Sequence, residues 1–354
     1  MSAKSAFSQH IWLSLCQQFR LLVGLKSSPR PWHFPLLSGL CTGLPVLIGA
    51  YFGHVDQGVL AGLGGMVILY MPQTYIGHRM LTLVVCAFGF AACYTLTVLI
   101  GGVGWVAALV LGCISLLVNF ACRFYRLPWP GRFFFIMIAA LASNANVELA
   151  QVPSNLGLLM LGSMGACLLA FVYSLLLPVK HCEPVSHSPV HLRLTPLWAE
   201  SAVIGIAVGS SLLLAIELGV NNPYWVPISC AAILQGTSVQ LLFTRQVQRI
   251  LGTVVGLVFA WLLFSLPPNP WWIASTIMGL TFAMETVILR NYGLAVIFIT
   301  PLAVLFANFI LLGQFPAEQL VSTRLQDTAL GSACGFIGGL FLHLPWRVLR
   351  EHPA

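Results

Sequence analysis

Few side chains in this sequence can do polar chemistry, and most of those are arginines set beside long apolar runs. Arg245 and Arg249 stand four residues apart and so share one face of a helix. A guanidinium presents five donors in a flat fork that suits a carboxylate. Joined by Arg79 from the earlier half of the chain, the pair would gather anions at the mouth of a path. The plainer alternative is that these arginines fix orientation in a membrane and touch lipid phosphates. Arg324 has Asp327 three residues further on. The two suit either an ion pair and cap at a helix start or a gate that opens when an anionic substrate displaces Asp327. Glu285 is the clearest acid inside an apolar stretch, and it suits a proton carrier or a partner for Arg290. Trp225 suits an interfacial anchor or a platform for an aromatic ring. Gln235, read as mid-span, needs another helix or a substrate carboxylate as its partner. Asn144, Asn146 and Asn308 carry the same two readings.

Other chemistries are not expected. The ten cysteines form no CxxC pair and the histidines form no HExxH, so neither a metal site nor a redox centre is expected. No glycine-rich turn ends in Gly-Lys-Ser or Gly-Lys-Thr, so no nucleotide cofactor is expected either. The nine acids are scattered, which argues against an enzyme. No catalytic residue is assigned.

The elements that must position these residues follow from composition. Of 354 residues, 58% are hydrophobic and 7% charged, against about 25% charged in a soluble domain. A soluble domain, a disordered chain and a nucleic-acid binder are thereby excluded. The net charge of +7 is to be read against a lipid bilayer. At about 20 residues per span, twelve spans are expected: 33–53, 56–76, 80–100, 103–122, 133–150, 156–177, 197–217, 223–242, 250–266, 271–289, 294–313 and 326–344. With the N-terminus in the cytoplasm, all but one of the 16 basic residues fall on the cytoplasmic side, Arg324 being the exception. The expected class is an all-α polytopic membrane protein, N-in and C-in.

The halves correspond. Arg79 matches Arg249, Arg123-Phe124-Tyr125 matches Arg290-Asn291-Tyr292, Leu161-Gly162-Ser163 matches Leu330-Gly331-Ser332, and Pro178 matches Pro345. Six spans per unit is an even number, so the units insert the same way up as tandem parallel repeats. The expected organisation is a cytoplasmic amphipathic segment over 1–32, with Ile11, Leu15, Phe19 and Leu22 on one face. A six-helix unit over 33–178, a linker over 179–196, a second unit over 197–345 and a tail over 346–354 follow. Paired glycines such as Gly331 and Gly335 are read as helix-packing positions. Pro45, Pro227 and Pro301 are expected to break helices near a pathway.

One stretch carries a family pattern. It begins at Asn222-Pro223-Tyr224-Trp225-Val226-Pro227, passes Gln235, and continues through Arg245 and Arg249 into Gly252-Thr253 and Gly256. Arg290-Asn291-Tyr292 with Phe298, Thr300 and Pro301 follows, then Arg324 with Asp327-Thr328 and Gly331. This order resembles the fusaric acid resistance family, which includes bacterial aromatic acid exporters and is related to plant aluminium-activated malate channels. The resemblance is good over 197–345 and faint over 33–178. It implies export of organic carboxylates, aromatic ones included, through a bacterial inner membrane. Many members carry large cytoplasmic domains, and none is expected between or after these units. A periplasmic efflux partner or a homo-oligomer fits that setting. Two rival readings stay open: a membrane partner subunit without transport of its own, and an intramembrane lipid-modifying enzyme.

Overall fold

The computed structural model describes residues 24–25, 30–100, 104–145, 147–177, 194–266, 269–310 and 317–343. The amphipathic face of the first 23 residues, most of the 179–196 linker, the 346–354 tail and Asn146 lie outside the described residues.

The described residues form twelve α-helices and no strand. They are α1 His33–Tyr51, α2 Val55–Gly65, α3 Ile76–Ile100, α4 Trp105–Phe124, α5 Phe133–Ala142, α6 Val152–Leu176, α7 Leu194–Glu217, α8 Trp225–Ile233, α9 Val239–Phe264, α10 Pro270–Ile288, α11 Tyr292–Ile310 and α12 Ala317–His343. Helix is the expected answer for chains this apolar, because lipid offers backbone groups no partners and a helix satisfies them within the segment. Eight helices are long and apolar enough to cross a membrane: α1, α3, α4, α6, α7, α9, α10 and α11. Their outer faces carry large apolar side chains, such as Phe88 and Ile206, each 70% exposed. That is the surface a bilayer requires and water would reject.

The expectation of twelve similar spans fails at four helices: α12 has 27 residues but is not apolar enough to be among the eight, and the other three are short. α2, α5 and α8 have 11, 10 and 9 residues, too short for a hydrocarbon core of about 30 Å. Every residue of α8 is buried, as are eight residues of α5. A helix that is apolar all round belongs inside a bundle. The breaks fall at Met71–Tyr75, after Ala142, and at Leu234–Ser238. A hydropathy window does not see them, because the interrupted segments stay apolar on average. After the third break, Ser238 caps α9 by accepting from the Leu241 amide at 3.2 Å. The prolines do not make the breaks. Pro45 and Pro301 lie inside continuous helices, and Pro227 sits in the first turn of α8, where its missing N–H has no intrahelical partner to lose.

Helix pairings recur along the chain. α1 packs on α2 and α7 on α8; α2 packs on α6 and α8 on α12; α3 packs on α6 and α9 on α12; α4 packs on α7 and α10 on α1. The short helices also cross between halves, α5 against α8 and α2 against α11. Small residues permit the closest approaches. A Cβ on Gly162 would overlap the Ala61 carbonyl, and one on Gly331 would overlap the Val226 carbonyl. Gly331→Val is therefore expected to separate α12 from α8 and destabilise the fold by about 1–3 kcal/mol or more. A thermal-shift measurement in detergent checks this, with Gly157→Val as the control, since a Cβ at Gly157 meets nothing within 4 Å.

Candidate anion-binding site

Two of the short helices, α5 and α8, pack on each other, and with α9, α10, α11 and α12 they line a cavity of about 50 Å³. Most of its wall is apolar, including Phe133, Phe134, Met284 and Phe306. Two guanidiniums face it, Arg249 from α9 and Arg324 from α12, together with Trp225 from the start of α8. Both arginines are buried, at 3% and 2% exposure. Among the described residues neither makes an ion pair. Arg249 donates through Nη1 to the Tyr292 hydroxyl at 3.0 Å and through Nη2 to Ser229 Oγ at 3.0 Å, leaving Nε without a partner. Arg324 lies over the Trp225 ring with Cζ 3.2 Å from its centroid. Its Nε and Nη1 have no hydrogen-bond partner. Buried charge without an ion-pair partner is costly, and an anion in the cavity would offset that cost.

Trp225 is thus not an interfacial anchor. It is 1% exposed and supports Arg324 from below, because α8 is an internal helix with no lipid face. Arg324 and Asp327 are both buried, yet no ion pair within 4.0 Å joins them. Asp327 faces a separate pocket of about 280 Å³, lined also by Asn221, Thr323 and Gln326. Three residues of helical spacing bring the two backbones together, but the side chains turn into different spaces.

The remaining candidates hold the opposite end of the bundle. Gln235 is not mid-span; it lies in the break after α8, accepting from Arg245 Nη1 at 3.1 Å and donating to the Pro130 carbonyl at 2.9 Å. Arg245 also reaches the Ala232 carbonyl at 3.3 Å and lies over the Tyr292 ring. It therefore caps the carboxyl end of α8, where the helix dipole favours a cation. Arg79 does not join Arg249; it is buried in α3 and donates to Ser174 of α6 at 3.1 Å. Glu285 is buried and bonded to Arg30, not to Arg290.

Sequence reasoning missed Arg30 and Arg132 as working residues. Arg30 donates to the Leu69 carbonyl at 3.2 Å and lies over Phe34. Arg132 donates to the Leu234 carbonyl at 2.6 Å and to Asn119 Oδ1 at 2.8 Å. Arg132 thus closes the carboxyl end of α8, and Arg30 holds the 3-10 turn Met66–Tyr70 that follows α2. The loop between α4 and α5 is held between them, with Trp129, Pro130 and Gly131 accepting from Arg30, Gln235 and Tyr70. The only signal in the sequence is a lone arginine just ahead of an apolar run, which reads as topogenic until its partner is known. The cysteines behave as packing residues: six of the eight described are buried.

These features define a multi-pass helical membrane protein with a cationic cavity buried among its helices. Residues 203–338 match the family model described as fusaric acid resistance protein-like, bearing out the resemblance read from the motifs between Asn222 and Gly331. Along 98% of its length the chain is 23% identical to the "Uncharacterized membrane protein YvaC" of Bacillus subtilis (strain 168), covering 77% of that protein. That alignment runs over 494 positions, so gaps interrupt it. Over 45% of its length the chain is 29% identical to the "Uncharacterized protein YhfK" of Escherichia coli (strain K12), of which it spans 22%. No solved structure matches the chain.

Proposed function

We propose that the protein carries organic carboxylates, aromatic ones included, out of the cytoplasm through a bacterial inner membrane, as a transporter or channel. One observation carries this reading: Arg249 and Arg324 face a single apolar cavity, and among the described residues no acid forms an ion pair with either. An aromatic carboxylate supplies what that cavity lacks, a negative charge for the guanidiniums and a ring for Trp225 and the phenylalanines. The family match over 203–338 supports a transport role. Recurring helix pairings support two tandem parallel six-helix units, eight of whose helices are long and apolar enough to span, with the cavity near their shared axis. The basic residues support the N-in, C-in orientation, which puts Arg30 and Glu285 at the cytoplasmic mouth and Asp327 on the outer side. In this reading the Arg30–Glu285 pair and the clamped loop close the inner mouth, and Arg324 is the last cation before the exit.

The test is flux in proteoliposomes loaded with aromatic and aliphatic carboxylates. Saturable flux is expected in the wild type. Arg249→Ala is expected to lose it, while Arg79→Met, outside the cavity, is expected to keep it in folded protein. Equal loss in both variants sinks the cavity assignment. Absence of any anion flux from folded wild type sinks the stand-alone transporter and favours a partner subunit.

A further inference from the structure

α12 separates two spaces that the transport reading treats unequally. On one side Arg324 faces the central cavity. On the other, Asp327 lines the 280 Å³ pocket together with Leu218, Gly219, Val220, Asn221 and Thr323. That pocket lies at the end of the bundle where α7 finishes and α12 begins. Asp327 is 1% exposed, and its Oδ2 has no hydrogen-bond partner. A carboxylate this enclosed, unpaired and beside a polar pocket needs a positive partner that water in the pocket can deliver. Arg324 is near in sequence but is turned away over Trp225.

The geometry points to Asp327 as a proton-exchange site that opens to the outer pocket and is positively linked to anion occupancy of the central cavity. This rests on the anion reading of that cavity. The linkage is electrostatic. With Asp327 ionised, its negative charge one helical turn away offsets part of the field of Arg324, and across a low-dielectric interior that offset is large. When a hydronium ion in the pocket gives its proton to Oδ2, an O–H bond forms, water is released and the carboxyl becomes neutral. Arg324 then presents its full charge to the cavity, and an anion binds more tightly. By reciprocity, a bound anion favours protonation of Asp327. Among the described residues, the other charged or titratable groups acting on this pair are Tyr224 ahead of α8, Arg249 on α9 and Tyr292 on α11. Asp327 is the acid among them that lines the pocket. Protonation of Asp327 and anion occupancy of the cavity therefore favour one another, so the anion is held more tightly while Asp327 is protonated and more loosely once it ionises.

The experiment is calorimetric binding of benzenesulfonate, whose charge does not change over the working range, to full-length detergent-purified protein from mildly acidic to mildly alkaline pH. Binding in the wild type is expected to tighten as pH falls, by roughly 5- to 150-fold. Binding heats in two buffers of different ionisation enthalpy should report proton uptake with the ligand. Asp327→Asn is expected to bind at the acid-limit affinity at every pH, with no proton uptake. The buffer comparison uses wild-type protein alone, so it decides the matter even if the variant does not fold. Wild-type binding that ignores pH, buffer-independent heats, or an unchanged pH response in Asp327→Asn each overturns the linkage and leaves the anion site standing. No binding of benzenesulfonate at any pH overturns the anion site and the linkage together.

Discussion

Arg324→Gln is expected to cut carboxylate flux by roughly 10- to 100-fold while leaving thermal stability unchanged or raised. The size follows from losing one charge-assisted contact to the anion, about 1.5–3 kcal/mol. The sign of the stability effect is the sharper criterion. Arg324 is 2% exposed, and among the described residues no acid pairs with it, so the resting protein bears the cost of burying its charge. Glutamine keeps much of the volume over Trp225 and removes that cost. A residue held for structure would give the reverse, lower stability with flux falling only in proportion to folded protein. Flux in proteoliposomes beside a thermal-shift assay on the same preparation separates the two. Arg249→Gln should lose flux as well, but without the gain in stability, because its guanidinium also bonds Ser229 and Tyr292. Stability and function often conflict where a site holds uncompensated charge.

Glu285→Gln is expected to destabilise the protein by about 3–5 kcal/mol, the usual consequence of removing one partner from a buried ion pair. The acid is buried on α10 and its partner Arg30 precedes α1, so the pair fastens the start of the first half to the second. Arg30 then also loses the charge that holds it against the Leu69 and Trp129 carbonyls. The double variant Arg30→Met with Glu285→Leu should recover most of the loss, since an apolar pair of similar volume avoids desolvating either charge. Thermal unfolding of Arg30→Met, Glu285→Leu and the double forms a cycle. Additive losses in the double would mean that the two residues act separately, against the contact between them.

Legibility of the candidate site followed one rule. Arg249 and Arg324 could be singled out because charged groups at the edge of apolar runs need a partner, and Trp225 because its ring suits an interface or an aromatic ligand; all three face the cavity. Arg79, Gln235 and Glu285 stand out by the same rule but hold helices together elsewhere. The rule identifies side chains that need a partner; it cannot say whether the partner is a ligand or another helix. Arg30 and Arg132 escaped it because they lie just outside the spans, ahead of α1 and in the loop before α5, where arginine is the normal topogenic residue.

The sequence by itself determined the solvent of this protein, its helical class and most helix limits. Spans expected at 33–53, 103–122 and 271–289 correspond to His33–Tyr51, Trp105–Phe124 and Pro270–Ile288. Those properties are local, since composition selects lipid and each backbone group must then find its partner four residues away. Tertiary structure alone decided that α2, α5 and α8 are short internal helices, and which arginines share a cavity. It also decided that Arg30 meets Glu285 across 255 residues of chain. Such contacts depend on how whole helices cross, and helix crossing is fixed by packing summed over many side chains, a quantity that no short run of residues contains.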